Sequence, residues 1–119
     1  MTQSSLLGGG GRGLCHQLNA LAPFEATQRR ALLSGLFGSE TDASIDPLFF
    51  CDYGYNIKLG ASAYFIVNCV GLDAASVVVG KSVLFGPRVN ITTASHPLSA
   101  VDRRLSLELG TYEKRTIGW

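Results

Sequence analysis

A six-residue repeat in the second half of the chain limits the folds that are open to it. Three consecutive frames, residues 79–84, 85–90 and 91–96, each begin with an aliphatic or aromatic residue that a small residue follows. The stretch from Leu59 begins in the same way, and Ile117 opens a further frame. A period of six matches neither the 3.6 residues of a helical turn nor the two of a strand. It predicts a parallel β-helix with three short strands per coil and an inward aliphatic side chain at each corner.

The residues before this repeat have helical spacing. Apolar side chains stand at positions 14, 15, 18 and 21, and Pro23 ends that pattern. Residues 27–37 carry a second apolar stripe, and Gly38 follows in the usual position of a helix C-cap. We therefore predict two helices within residues 14–38 and strands from about Ile45 onward.

The domain organisation follows from these two patterns. We predict a flexible Gly-rich leader over residues 1–13, a helical region over 14–44, and a β-helix over 45–119 that is incomplete at its C-terminal end. The glycines at 8–11 and 13 do not indicate a phosphate loop, because no strand precedes them and the Gly-Lys-Ser/Thr ending is missing.

Composition excludes several classes of partner. The net charge is +1, which is too small for an electrostatic grip on nucleic acid or on an anionic membrane. No apolar run approaches the roughly 20 residues that span a bilayer, and the N-terminus lacks the basic start of a secretory signal. Three cysteines without metal-ligand spacing argue for a reducing compartment. We expect a cytoplasmic protein with no metal, nucleic-acid or membrane partner.

Four sequence elements carry a resemblance to a known family. They are CDYGYNIKLG at 51–60, NCVGLD at 68–73, FGP at 85–87 and SHPL at 95–98. In this order and spacing they resemble the maltose/galactoside O-acetyltransferases, the sugar branch of the hexapeptide-repeat acyltransferases, from about residue 14 to 118. The resemblance implies a mainly β fold, in which a short helical region precedes a left-handed parallel β-helix. It also implies homotrimers with active sites between subunits, acetyl-CoA as co-substrate, and a sugar acceptor.

Acetyl transfer to a hydroxyl needs a base, and histidine suits this role near neutral pH. The chain has two histidines. His16 lies in a helical segment without polar neighbours in the sequence, so we interpret it as a surface or packing residue. His96 precedes Pro97, which favours an extended or turn conformation, and the resemblance makes it the catalytic base. The resemblance also makes Glu108 the residue that orients this base; the alternative for Glu108 is a solvated loop carboxylate.

The resemblance also supplies acceptor-binding residues. Asp52 matches an acceptor-contacting position, and Asp73 falls at or beside another. We also expect Tyr64 to stack or pack on the sugar ring. Asn68 matches a second, more variable asparagine position of the family. The alternative reading of Asp52, ahead of Tyr53 and Gly54, is that it forms a turn.

Two departures from the family pattern bear on function. Ile66 stands where related sequences carry an asparagine that contacts the reacting groups. The family also continues well beyond Trp119, and those coils supply most contacts to coenzyme A. The leading hypothesis is an acetyl-CoA-dependent sugar O-acetyltransferase; the alternative is a truncated, catalytically silent β-helix module for sugar binding or trimerisation. A zinc carbonic anhydrase of similar fold is excluded, because its site needs three histidines.

Overall fold

The computed structural model describes residues 10–94 and 114–118 of the chain. Two helices come first, α1 over Gly11–Ala20 and α2 over Ala26–Phe37. Short strands follow: β1 Ser44–Ile45, β2 Phe49–Cys51, β3 Ile57–Leu59, β4 Tyr64–Phe65, β5 Cys69–Leu72, β6 Val77–Val79, β7 Leu84–Phe85, β8 Asn90–Thr92 and β9 Arg115–Ile117. Within the described residues 57–94 no helix interrupts the strands, as the repeat predicted.

The strands wind into three coils around three parallel sheets. Sheet 1 contains β1-β4-β7, sheet 2 contains β2-β5-β8, and sheet 3 contains β3-β6-β9. Each strand pairs in parallel with the strand one coil later, so every third strand in the chain belongs to the same sheet. The mainly β fold expected from the sequence, a left-handed parallel β-helix preceded by helices, is confirmed.

The coil is twenty residues long, two more than three six-residue frames. Ile45 pairs with Phe65 and Phe65 with Phe85, while Gly71 pairs with Ile91. At each corner, a few residues separate the last inward-facing side chain of one strand from the first inward-facing side chain of the next. Two of the corners contain three such residues, but the corner between sheets 2 and 3 contains five. We call this third turn the long corner; it comprises residues 52–56 and 72–76. The hexad frames open on buried side chains, but these lie within the strands rather than at the corners: Val79, Phe85 and Ile91. Two extra residues at the long corner interrupt the phase of the frames once per coil.

The short corners repeat their backbone conformation as well as their length. Ser62 and Ser82 have positive φ values of 59° and 58°, and Asn68 and Arg88 have 61° and 62°. Both pairs are one coil apart. A left-handed residue at each short corner turns the chain sharply enough to begin the next strand without a glycine.

An aromatic column forms the centre of the core. The Phe65 and Phe85 rings stack with their centroids 4.2 Å apart, and Phe49 meets Phe65 edge-on at 5.4 Å. Phe37 at the end of α2 lies 6.1 Å from Phe49, so the column continues from the coils into the helices. Helix α2 ends as predicted at Gly38, whose φ of 74° is left-handed.

The helices cover the first coil, which would otherwise expose a strand edge. Leu14, Cys15 and Leu18 form the buried stripe of α1 that packs against β2. The Asn19 side chain accepts a hydrogen bond from the Phe49 N–H at 2.9 Å and donates one to the Phe49 carbonyl at 3.0 Å. The amide therefore takes the place of a neighbouring strand at this edge.

Helix α1 begins at Gly11, earlier than the boundary at residue 14 that the sequence predicted. Gly11 is buried, and a Cβ there would lie 2.5 Å from the backbone carbonyl carbon and oxygen of Tyr53. The last glycines of the predicted leader are therefore helical because the first turn of α1 lies directly on the loop after β2.

The third coil contains a long insertion. Thr92 and Arg115 flank the turn from sheet 2 to sheet 3, yet β9 pairs with β6 in the same alignment that β6 keeps with β3. The partners Val77 and Arg115 are 38 positions apart instead of twenty. The additional positions therefore all fall, in the sequence, between the end of β8 and the start of β9.

Candidate functional site

The long corner of the first coil is organised by one buried carboxylate. Asp73 is fully buried and accepts hydrogen bonds from four backbone N–H groups of residues 52–56. One of its oxygens, Oδ1, accepts from Asp52 at 3.1 Å and Tyr53 at 2.9 Å. The other, Oδ2, accepts from Gly54 at 2.7 Å and Asn56 at 3.2 Å. A five-residue turn without strand partners thus has its donors satisfied from the next coil.

This environment makes Asp73 a loop-positioning residue in this chain. The sequence assigned Asp73 to acceptor binding, but none of its side chain is open to solvent. The Asn56 side chain adds a bond to the Asp73 carbonyl at 2.7 Å, which closes the turn further. The neighbouring carboxylate, Asp52, is the one that the turn presents at the surface.

Asp52 lies where α1, β2 and the long corner meet. Its side chain is 23% exposed, and its Oδ1 accepts a hydrogen bond from Arg12 Nη2 at 3.0 Å. Arg12 comes from the first turn of α1 and is 76% exposed. Asp52 is thus an accessible carboxylate on a hydrogen-bonded turn, and an exposed ion pair of this kind is weak enough for a ligand to replace its cationic partner.

Two tyrosines follow this carboxylate on the same turn. Tyr53 and Tyr55 are exposed, and their ring centroids are 5.6 Å apart with the rings tilted by 48°. Their backbone belongs to the turn that Asp73 fixes. The long corner therefore presents aromatic faces beside a carboxylate, a combination that can bind both the apolar faces and the hydroxyls of a sugar.

A second buried polar side chain, Thr93, holds the long corner one coil after Asp73. Thr93, one coil after Asp73, is 1% exposed. Its hydroxyl donates to the Leu72 carbonyl at 2.9 Å and accepts from the Ala75 N–H at 3.2 Å. Asp73 and Thr93 therefore hold successive turns of the long corner in place, one above the other.

Tyr64 lies on a different side of the molecule. It projects from the outer face of sheet 1, and its hydroxyl donates to Asp46 Oδ2 at 3.0 Å. This hydrogen bond raises the pKa of Tyr64 above its ordinary value, and the nearby negative charge acts in the same direction. Tyr64 lines a groove of about 320 Å³ between sheet 1 and the helices, together with Arg29 and Arg30.

Asn68 and Ile66 lie at the short corner between sheets 1 and 2. Asn68 is exposed in the left-handed conformation, and Ile66 is half-buried with its N–H bonded to the Phe85 carbonyl. Strand β5, four residues long, separates this corner from the long corner. At about 3.3 Å per residue the two corners are roughly 13 Å apart. One copy of the chain therefore groups Asp52 with Asp73, but not with Asn68 or Tyr64.

Both proposed catalytic residues, His96 and Glu108, lie outside the described residues. His16, interpreted from the sequence as a surface or packing residue, is exposed on α1. In the described part of the chain no group of three or more His, Cys, Asp or Glu side chains could hold a metal ion. No helix among those residues is both long and apolar enough to cross a membrane.

The residues that hold the site in place were not identified from the sequence. No role was predicted for Arg12, Asn56 or Thr93, although each bonds at the long corner. A twenty-residue comparison of the sequence with itself would have aligned Asp73 with Thr93 and Tyr53. The signal was therefore present, but it was masked by the shorter six-residue period.

Sequence and structure comparisons give several relatives. No protein-family model matches the chain. The chain is 47% identical over 79 residues to Nodulation protein L of Rhizobium meliloti (strain 1021), covering 66% of this chain and 43% of that protein. The curated relatives it matches also include putative acetyltransferases, one of them from Saccharomyces cerevisiae.

Solved structures resemble the whole described fold. A hexapeptide-repeat acetyltransferase of Vibrio cholerae, in complex with acetyl coenzyme A, superposes with a TM-score of 0.75 and 32% identity, over 92% of this chain and 58% of that one. A maltose O-acetyltransferase of Clostridium difficile 630 gives a TM-score of 0.74 and 27% identity, over 95% and 68%. This chain spans about half the length of the curated relatives it matches.

Proposed function

Because this chain belongs to the hexapeptide-repeat acetyltransferases, we propose that it carries the acceptor-binding part of an enzyme that transfers an acetyl group from acetyl-CoA to a sugar hydroxyl. The observation that carries this proposal is the long corner, where the bonds of Asp73 hold the turn that presents Asp52 and, after it, the exposed rings of Tyr53 and Tyr55. Acetyl-CoA as donor is supported by the Vibrio cholerae relative, whose structure contains it.

We assign the base to His96 and its orientation to Glu108. The support for His96 is its place in the sequence. It comes three positions after Thr93, and Thr93 is the residue of the third coil that is in register with Asp73. In the proposed reaction the imidazole takes the proton of the sugar hydroxyl, and the oxygen attacks the thioester carbonyl. Backbone N–H groups stabilise the tetrahedral oxyanion, and the thiolate of coenzyme A leaves. No covalent enzyme intermediate is required.

We propose a homotrimer, in the cytoplasm, as the working form. Tyr64 and Asn68, both assigned to the acceptor, are separated from Asp52 by the width of a sheet. A neighbouring copy that set its short corner against this long corner would complete the site. We expect a version of the chain extended with the C-terminal coils of a relative to sediment as a trimer at micromolar concentration; monomer alone would contradict this assembly.

The test of the enzyme uses the two histidines as a matched pair. In the extended version, His96→Ala should lower the rate of sugar acetylation about 10²–10⁴-fold, the usual contribution of a general base. His16→Ala, on the exposed face of α1, should leave the rate unchanged. Acetylation by the His96 variant at the parental rate would remove His96 from this role.

One observation favours the alternative, a catalytically silent module for sugar binding or trimerisation. Ile66 puts an apolar side chain at the position where the family contacts the reacting groups, and it is half-buried. In that case the extended version would bind sugar or trimerise but release no coenzyme A. Ile66→Asn would then restore turnover, whereas the enzyme hypothesis predicts turnover without it.

A further inference from the structure

Two of the three cysteines face each other between α1 and β2. The Sγ atoms of Cys15 and Cys51 are 3.5 Å apart, although the residues are 36 positions apart in the sequence. Both side chains are buried and both are free thiols. The third, Cys69, is also buried and free, but its Sγ contacts the carbonyls of Ile66 at 3.1 Å and Gly86 at 3.3 Å.

From this contact we propose that Cys15 and Cys51 form a reversible oxidation site, at which a peroxide converts the two thiols into a disulfide that joins α1 to β2. The proposal is independent of the acetyltransferase function. A disulfide has an S–S length of about 2.05 Å, so the two sulfur atoms must approach by roughly 1.5 Å.

The electrostatics of the pair favour the first step at Cys15. The hydrogen bond from the Cys51 thiol lowers the pKa of Cys15, and the same bond, together with burial, raises the pKa of Cys51. One sulfur of the pair is therefore the better nucleophile, while the other keeps its proton.

The chemistry balances with one peroxide per pair. The Cys15 thiolate attacks a peroxide oxygen, the O–O bond breaks, and hydroxide leaves, so that Cys15 becomes a sulfenic acid. The Cys51 sulfur then attacks the Cys15 sulfur, and water leaves as the disulfide forms. The two thiols lose two electrons and two protons, and hydrogen peroxide becomes two molecules of water. A reducing compartment restores the dithiol, so the bond forms only under oxidative load.

The position of the pair gives the bond a consequence. Cys51 directly precedes Asp52, and Cys15 lies one helical turn after Arg12, whose guanidinium bonds to Asp52. A disulfide would therefore fix the two elements that hold the Arg12–Asp52 ion pair. Oxidation would therefore restrict the relative movement of Arg12 and Asp52, with no chemical change to the residues of the long corner.

The experiment treats the purified 119-residue chain with hydrogen peroxide, blocks the remaining thiols with N-ethylmaleimide in denaturant, and maps the peptides by mass spectrometry. We expect one linked peptide pair containing Cys15 and Cys51, a mass loss of about 2 Da, a single blocked thiol at Cys69, and full reversal by dithiothreitol. Cys69→Ser is the matched control and should keep the link. Cys15→Ser and Cys51→Ser should each abolish it.

The mapping of the unmodified chain decides the proposal even if a serine variant fails to fold. A link through Cys69, a disulfide between two chains, or a sulfinic acid at Cys15 with a free Cys51 would each overturn it. So would three unmodified thiols in the native chain under conditions that oxidise the same chain in urea.

Discussion

Asp73 shows how much of the site depends on a single buried side chain. Replacement by asparagine keeps the shape but removes the charge, and it turns an NH2 group toward backbone N–H donors that need an acceptor. We expect Asp73→Asn to lower the free energy of unfolding by about 1–3 kcal/mol, measured by urea denaturation. Glu40→Gln, on an exposed residue, is the control and should change it by less than about 0.5 kcal/mol. Equal midpoints for the two variants would contradict the role given to Asp73.

Tyr64 gives a prediction about pH. Its hydrogen bond to Asp46 raises the pKa of the phenol in the folded chain, so this bond stabilises the fold fully below the ordinary tyrosine pKa of about 10. That contribution is lost as the pH rises through the folded pKa. We expect Asp46→Asn to lower the pKa of Tyr64. The pKa is measured by ultraviolet absorbance titration, and the titration of Tyr64→Phe is subtracted to remove the signal of the other tyrosines. An unchanged absorbance titration in Asp46→Asn would show that the bond does not form in solution.

Sequence reasoning identified carboxylates of the long corner but did not tell which of them is buried. Asp52 was identifiable from the CDYG element, and the structure places it at an accessible turn, where its role in binding stays a prediction. Asp73 was assigned the same role because a sequence does not tell an exposed carboxylate from one that four N–H groups of the preceding coil surround. Those partners lie 17 to 21 positions away, so only the coil length brings them together.

At the scale of elements, two helical glycines should respond in opposite ways to replacement by alanine, because only one of them contacts the long corner. Gly11→Ala should destabilise the chain despite the better helix propensity of alanine, because the new Cβ would lie 2.5 Å from the Tyr53 backbone. Gly35 is an exposed residue in the middle of α2, and a Cβ there would have no atom within 4 Å. Gly35→Ala should therefore stabilise the chain by about 0.5–1 kcal/mol. Thermal unfolding of both variants measures the difference, and a gain in stability for Gly11→Ala would show that the first turn of α1 is not seated on the loop.

The elements themselves were largely predictable. The apolar stripe and Gly38 located α2 to within one residue, because those signals are local. The start of α1 was misplaced, since its first turn is held by a loop some forty residues later. The strands were located by the hexads, but the coil length was not, because the long corner adds two residues that no apolar position marks.

At the scale of the whole molecule, the aromatic column makes the helices and coils one folding unit. Phe65 is 1% exposed and contacts the rings on both sides of it, one in each neighbouring coil. We expect Phe65→Ala to cost about 3–5 kcal/mol, a large part of the stability of a small domain. Phe24→Ala, on a side chain that is 85% exposed, should cost less than about 0.5 kcal/mol. Circular dichroism during urea unfolding compares them; separate transitions for helix and strand signals would contradict a single unit.

The return of β9 into register after the long insertion bears on how such a chain can change in length over evolution. A duplication or deletion of twenty residues would add or remove one whole coil and leave the remaining strand pairing in register. A loss of eighteen would displace each two- or three-residue strand by about its own length. At the long corner, by contrast, extra residues leave the pairing of the next strand unchanged, as Arg115 opposite Val77 demonstrates. Natural variation in length should therefore collect at this one edge, which is also where we propose that the acceptor binds, so changes in specificity there would leave the strand pairing intact.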